Sequence, residues 1–346
     1  MALRMTQSAF GGIACMSGLA FGLACVLTTP AHALVIAPSF GASITGSANA
    51  AEIEAAINTA ASNIGGLFSN ASNVSILFET GSGDFLGSTQ SGQYITSYNN
   101  YVGQLQANSA ANPANTVLAS ALANLSSGND ANGALNIGAS SALLRMLGFS
   151  GATPCYSGVG VFVAGCGQTY DAVITLSSSN PIDYTRPLDG SSYDALRVIE
   201  HEIDEVLGAG GQGSTLNSQS VTCDPLSPTA YGPLDLYRFS APGTASYTTC
   251  GSASSYLSVD GGVTSIAAFD QNANGDMGDF ADGSTVQAAF TNFNQPADIS
   301  ATSPEYKMLE SIGYDPVPEP GSLVLIGAAL LGLGFVRRKR GARQGG

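Results

Sequence analysis

At 346 residues the chain has room for one large domain or two small ones. It carries 25 Asp and Glu against 11 Lys and Arg, and no Trp. Its interior is strongly anionic, which argues against nucleic acid and anionic lipid as partners and is compatible with bound divalent cations.

Residues 1–33 read as a secretory signal. Arg4 supplies the positive start, residues 11–27 are apolar or small, and Ala31-His32-Ala33 is a small-x-small site for signal peptidase. Cleavage there removes Cys15, Cys25 and His32, leaving His201 as the sole histidine of the mature chain. Cys155, Cys166, Cys223 and Cys250 remain, and an even count in an exported chain favours two disulfides. Three pairings are open. Cys155–Cys166 and Cys223–Cys250 are preferred, because each pair is nearest in sequence and flanks a loop rich in Gly, Ser or Pro.

Residues 34–316 form the working domain. Ile53, Ala56, Ile57, Ala60, Ile64 and Leu67 recur at helical steps and predict a helix over 50–67. NVSILFET, 73–80, predicts a strand. Tyr98, Tyr101, Val102 and Leu105 share a face of a helix near 97–105, and shorter helices are expected over 116–125 and 140–147. YDAVITL, 170–176, is the next strand. A helix over 192–207 follows, then a loop-rich half with a short strand near 256–259 and a closing helix over 303–312. No internal repeat is visible. This order of helix, strand, helices, strand and histidine-bearing helix is the one that zinc-dependent peptidases of the zincin type require. The fold class expected is therefore α+β with a mixed sheet and a zincin-like active-site helix.

RVIEHEIDEVLG, 197–208, concentrates Glu200, His201, Glu202 and Glu205 in six residues. Ala195, Leu196, Ile199, Ile203, Val206 and Leu207 form its apolar side. His201 and Glu205, four apart, stand together on the other, where both reach one ion. In H-E-x-x-H two imidazoles bind zinc and the glutamate between them activates a water. Here Glu205 replaces the second imidazole and Glu202 keeps the place of the base. A carboxylate binds zinc at nearly the same distance but lowers its Lewis acidity, and a harder ligand set also admits manganese or calcium. Gly208 is placed to end the helix in a left-handed conformation. For the third ligand Asp235 is the choice, in Gly232-Pro233-Leu234-Asp235, with Asp260 as runner-up. Tyr237 and Arg238 are candidates to stabilise an oxyanion.

Asp270-Gln271-Asn272-Ala273-Asn274-Gly275-Asp276 follows the opening of an EF-hand-type calcium loop, with Asp270, Asn272, Asn274, Asp276 and, near the closing position, Asp282 as ligands. Position twelve is Ala281, and flanking helices are not obvious.

The end of the chain carries a second address. Val317-Pro318-Glu319-Pro320-Gly321-Ser322 precedes an apolar stretch, 323–336, and Arg337-Arg338-Lys339-Arg340. At about 1.5 Å per residue a helix of that length is somewhat short for a bilayer of roughly 30 Å. The basic cluster would hold its end on the cytoplasmic side. The order of parts resembles the PEP-CTERM sorting tail of Gram-negative bacteria. That resemblance implies export, transient anchoring by the tail, and processing by an exosortase. The mature protein is then expected at the cell surface or outside the cell, in bacteria that often make an exopolysaccharide matrix.

The working domain also resembles a family of exported bacterial metalloproteases with such tails. The likeness lies in His201-Glu202-Ile203-Asp204-Glu205-Val206-Leu207-Gly208, in LDLYRFSAPG over 234–243, in YLSVDGG over 256–262 and in the Gly-Asp-rich stretch 275–280. Where the family glycine is usually followed by Arg, this chain has Ala209. The resemblance implies a zinc-dependent metallopeptidase acting on protein or peptide. The alternative expectation is a surface or matrix protein that binds metal on the same scaffold without turnover. Nothing marks a sugar site.

Overall fold

The computed structural model describes residues 34–125, 136–156, 166–210, 230–272, 275–289 and 291–318. The elements run β1 (Val35–Phe40), α1 (Ala42–Thr45), α2 (Ala50–Gly65), β2 (Asn73–Gly81), β3 (Gly87–Ser91), β4 (Gln93–Ser97), α3 (Tyr98–Ala111), α4 (Thr116–Ala123), β5 (Asn136–Ser140) and α5 (Ser141–Met146). Then come β6 (Ala172–Ser177), β7 (Ile182–Asp183), β8 (Tyr193–Asp194), α6 (Ala195–Val206), β9 (Ala230–Tyr231), a 3-10 helix (Pro233–Tyr237), β10 (Arg238–Ala241), β11 (Thr244–Ala245), β12 (Tyr256–Leu257), β13 (Ala267–Ala268) and α7 (Pro304–Ser311).

The main sheet has the order β1-β2-β6-β3. β1, β2 and β6 are parallel, and β3 lies antiparallel to β6 at the edge, with Gly87 opposite Leu176 and Ser91 opposite Ala172. Alternation along β2 sends Val74, Ile76 and Phe78 into the core, where they meet Ile57, Ile64, Ile199 and Ile203. α2 packs on α6, and α6 lies against β3 and β6. The helix with the chemical motif is thus clamped beneath an edge strand. Smaller sheets, β4-β5-β9 and β11-β10-β12-β13, and the pair β7-β8 complete the described residues.

Most expected elements form, within a few residues of their expected bounds. The motif helix starts later than expected, at Ala195, because Tyr193–Asp194 pairs with Ile182–Asp183 as a short parallel ladder. β1, β3, β4 and β5 were not foreseen. β1 carries Pro38, which an edge strand tolerates, and β3 (GSTQS) has no apolar alternation to reveal it. A disulfide joins Cys155 and Cys166. Cys250 is also disulfide-bonded, and its expected partner Cys223 lies outside the described residues. No helix among the described residues is long and apolar enough to cross a membrane, and the expected segment 323–336 lies outside them, as does the expected signal 1–33.

Candidate metal centre

α6 is not an amphipathic helix with a solvated acidic face. Glu200, Glu202, Asp204 and Glu205 are all buried. Each burial needs a reason, because an ionised carboxylate is expensive to remove from water. Glu200 has a structural one: it accepts from Asn63 Nδ2 at 2.9 Å and from the Ile299 amide at 2.7 Å, and burial pushes it up to about 7. Asp204 has no hydrogen-bond partner for either oxygen. Burial, then Glu305 and Glu200, hold its pKa well above the carboxylate range.

Glu202 and Glu205 face a cleft of about 360 Å³, together with His201, which immediately precedes Glu202. Gly87, Ser88 and Thr89 of β3 form one wall, Val198 of α6 the floor, and Val286, Ala288 and Ala289 the other wall. Asp276 and Asp279 also line it. One ligand atom each from His201, Glu205 and Asp279 lies within 4.8 Å of the others.

The orientation of His201 follows from its neighbours. Its Nδ1 lies 3.1 Å from the Val286 carbonyl, which only accepts, so Nδ1 carries the proton. Nε2 then turns a lone pair towards Asp279 Oδ2, 3.7 Å away. Burial lowers the pKa of His201, so the imidazole is neutral. With Asp279 ionised, as a metal ligand must be, two acceptors face each other across a gap too long for a hydrogen bond. Tetrahedral zinc ligands at ~2.0 Å stand about 3.3 Å apart, which is close to this gap. Asp279 is fixed from behind: Gln287 Nε2 donates to its Oδ1 at 2.8 Å. Its pKa is held well above the usual range by burial and by Asp276.

Glu202 sits closer to β3. Thr89 Oγ1 donates to its Oε2 at 2.7 Å, and burial, aided by Asp276, pushes its pKa up to about 7. Gly87 makes this approach possible. A Cβ there would lie 2.3 Å from Glu202 Oε1. Gly208, with φ +101°, ends the helix as its position in the motif predicts.

Two arginines hold the far wall. Arg197 donates from Nη2 to the carbonyls of Gly283 and Thr285 and from Nη1 to that of Gln295, which fastens the segment bearing Val286 and Gln287 to α6. Arg238 is buried, stacks on Phe269 at 4.1 Å and donates to the Met277 carbonyl, so it braces the Asp276–Asp279 turn. Both have other work than stabilising an oxyanion in the cleft. Neither Arg238 nor Tyr237 lines the cleft, so the expected oxyanion role is corrected for both.

The expected third ligand, Asp235, is not among the residues that line the cleft. Asp235 lies in the 3-10 helix, and its Oδ2 accepts from the Gly232 amide at 2.7 Å, a capping role. Asp260 caps a turn as well, accepting from the Thr264 amide at 2.8 Å and from Ser258 Oγ at 2.7 Å. Asp279 takes the place beside His201 and Glu205. The acidic loop expected to bind calcium also brings Asp276 to the same cleft. Asp270 accepts from the Asn272 amide, Asn274 lies outside the described residues, and Asp282 is exposed and caps Ser284. Gln287 and Val286 carry no sequence signal of their own. Asp279 had one, since it closes the same D-x-N-x-N-G-D run three residues on.

Residues 316–340 match the PEP-CTERM protein-sorting motif. The chain is thereby marked as exported and sorted to the cell surface, through recognition of its tail by an exosortase-type sorting enzyme. No curated protein and no solved structure matches the chain.

Proposed function

We propose that the exported domain is a metal-dependent peptidase, zincin-like in architecture, with His201, Glu205 and Asp279 as protein ligands of one divalent ion, zinc in the first instance, and Glu202 as general base. The observation that carries this reading is the convergence of those three ligand atoms within 4.8 Å at the floor of a cleft. A bound divalent ion supplies Lewis acidity towards a water and a substrate carbonyl. Val286 fixes the ligand tautomer of His201, and Gln287 orients Asp279. Glu202, raised to about 7 and steadied by Thr89, is suited to take a proton from a water and return it to a leaving amine. β3 is the last strand of its sheet and borders the cleft, so an extended peptide can add to it as a further strand.

One observation favours the second reading, a metal-binding surface or matrix protein without turnover. Two of the three ligands are carboxylates and Asp276 lies near, which lowers the acidity available to a bound ion. A calcium site on 270–282 remains a weaker proposal that rests on Asp270, Asn272 and Asp276.

Metal analysis of the purified secreted chain, beside His201→Ala and Glu202→Gln, decides between these. About one zinc per chain, lost in His201→Ala and kept in Glu202→Gln, with casein cleavage falling about 10³-fold in Glu202→Gln, supports the peptidase. Zinc without cleavage supports the second reading. No transition metal in the unaltered chain overturns the peptidase, and no divalent metal at all overturns both.

A further inference from the structure

The sorting motif begins inside the fold. Its first matched residue is Pro316, which bridges to Phe68, and the Val317 amide donates to the Leu67 carbonyl at 3.0 Å. Just before, the Ser69 amide donates to the Asp315 carbonyl at 2.8 Å. The segment Leu67–Ser69 also receives the other end of the domain: the Leu34 amide donates to the Phe68 carbonyl at 3.0 Å. Both ends of the domain therefore leave from one corner.

This exit is heavily fastened. Asn115, fully buried, donates to the carbonyls of Glu310 and Tyr314 and to Asp315 Oδ1. Asn70 donates to Asp315 Oδ2 at 3.1 Å, and its own Oδ1 accepts from the Asp315 amide at 2.7 Å. Neither asparagine contributes to the cleft. Their common effect is to hold residues 313–317 in one path up to the edge of Pro318-Glu319-Pro320. From Val317 to the start of the apolar stretch at Leu323 an extended chain spans at most about 20 Å. A sorting enzyme in the membrane thus meets a folded domain directly against the motif, with the backbone of the first matched residues already in use.

We infer that the pairing of Asp315–Val317 with Leu67–Ser69 is a fastening that withholds the start of the sorting motif once the domain has folded, so that processing of the tail waits on its release. Processing breaks a peptide bond of the tail. The acyl carbon passes to water or to an amine, and the departing amine takes the proton. The fold makes no chemical contribution; it sets access. This inference is independent of the proposed peptidase activity.

The test uses the full-length chain in a Gram-negative host that expresses a PEP-CTERM sorting enzyme. Loss of the tail is followed by pulse-chase and intact mass. In one variant an eight-residue Gly-Ser spacer and a second Pro-Val follow Val317, so that a complete motif stands clear of the domain. Its tail is expected to be lost about tenfold faster, the factor that corresponds to roughly 1.4 kcal/mol of release. Asn70→Ala, which loosens Asp315, is expected to speed loss about threefold, less than the spacer does. An unchanged or slower rate in the spacer variant overturns the inference. So does an equal acceleration from the same insertion in the exposed turn at Asp189–Gly190. Should Asn70→Ala not fold, the spacer variant decides alone.

Discussion

The cleft and the C-terminal fastening both bury carboxylates, but they treat them differently. At the fastening Asp315 has an asparagine amide on each oxygen, and its pKa rises only to about 6. In the cleft Asp279 has one oxygen on Gln287, while the other looks across 3.7 Å at an imidazole lone pair, and its pKa is held well above the usual range. Both are acidic groups deep in one protein. The first is satisfied by the chain itself and needs nothing further. The second is half satisfied, and its remaining valence points where His201 and Glu205 also point. Within this pair, what differs is not burial or charge but how far the chain's own donors satisfy the carboxylate.

The sharpest way to break that distinction is to remove one carboxylate of each kind. Asp279→Ala is expected to lose essentially all bound zinc, and Asp235→Ala to retain it while losing about 1 kcal/mol of stability with its cap. Metal analysis and denaturant titration read the two effects. Zinc lost equally in both would return Asp235 to the ligand set. Next in size is Gly87→Ala. Its Cβ would lie 2.3 Å from Oε1 and 2.6 Å from both Cδ and Cγ of the buried Glu202 side chain, which must shift as a whole, so the melting temperature should fall by about 3 °C. The displaced base should cost about 100-fold in peptide hydrolysis at unchanged zinc content. Hydrolysis that survives intact removes Glu202 from the mechanism. Asn115→Ala acts on the other side of the comparison. It deletes an acceptor for the Leu118 amide and donors to two buried carbonyls, and is expected to cost about 3 kcal/mol with no change in zinc.

The parts of the fold that were legible in the sequence are those with a local period. NVSILFETG alternates, and Ala50–Gly65 repeats at three and four, so β2 and α2 fall close to their expected places. His201, Glu202 and Glu205 are legible for the same reason, since one helix brings them together. The third member of the group lies on a different segment. Its approach depends on Arg197 and Arg238 reaching across to backbone carbonyls of 277–295, and nothing in the spacing of residues foretells which carbonyl a buried arginine will find. Asp235 drew attention as a motif fragment. Its turn geometry, a Pro after Gly232 and an acid two residues later, equally describes a cap, and the cap is what forms. β3 was missed because GSTQS has neither alternation nor bulk. The same lack of bulk lets Glu202 lie against it.

The smallest effect is also the one with the least ordinary sign. Burial raises Glu200, Glu202 and Glu310 to about 7 and Asp315 to about 6, above their values in an unfolded chain. The folded state therefore holds protons that the unfolded state releases between about pH 4 and 7. The stabilisation is complete below the unfolded pKa values and is lost as pH rises through the folded ones. The groups with lowered pKa values, His201 and the carboxylates Asp189, Asp260 and Asp282, act in the opposite sense, but only near and below their ordinary ranges. With metal removed by chelator, the melting temperature is expected to fall from pH 5 to pH 8, by about 5 °C. Asp315→Asn should flatten the part of that slope near pH 6, because an amide keeps its hydrogen-bonding capacity and has no proton to lose. A domain that grows steadily more stable from pH 5 to pH 8 would mean that these buried carboxylates, Glu310 and Asp315 among them, are ionised at little cost. The fastening would then be looser than its hydrogen bonds imply.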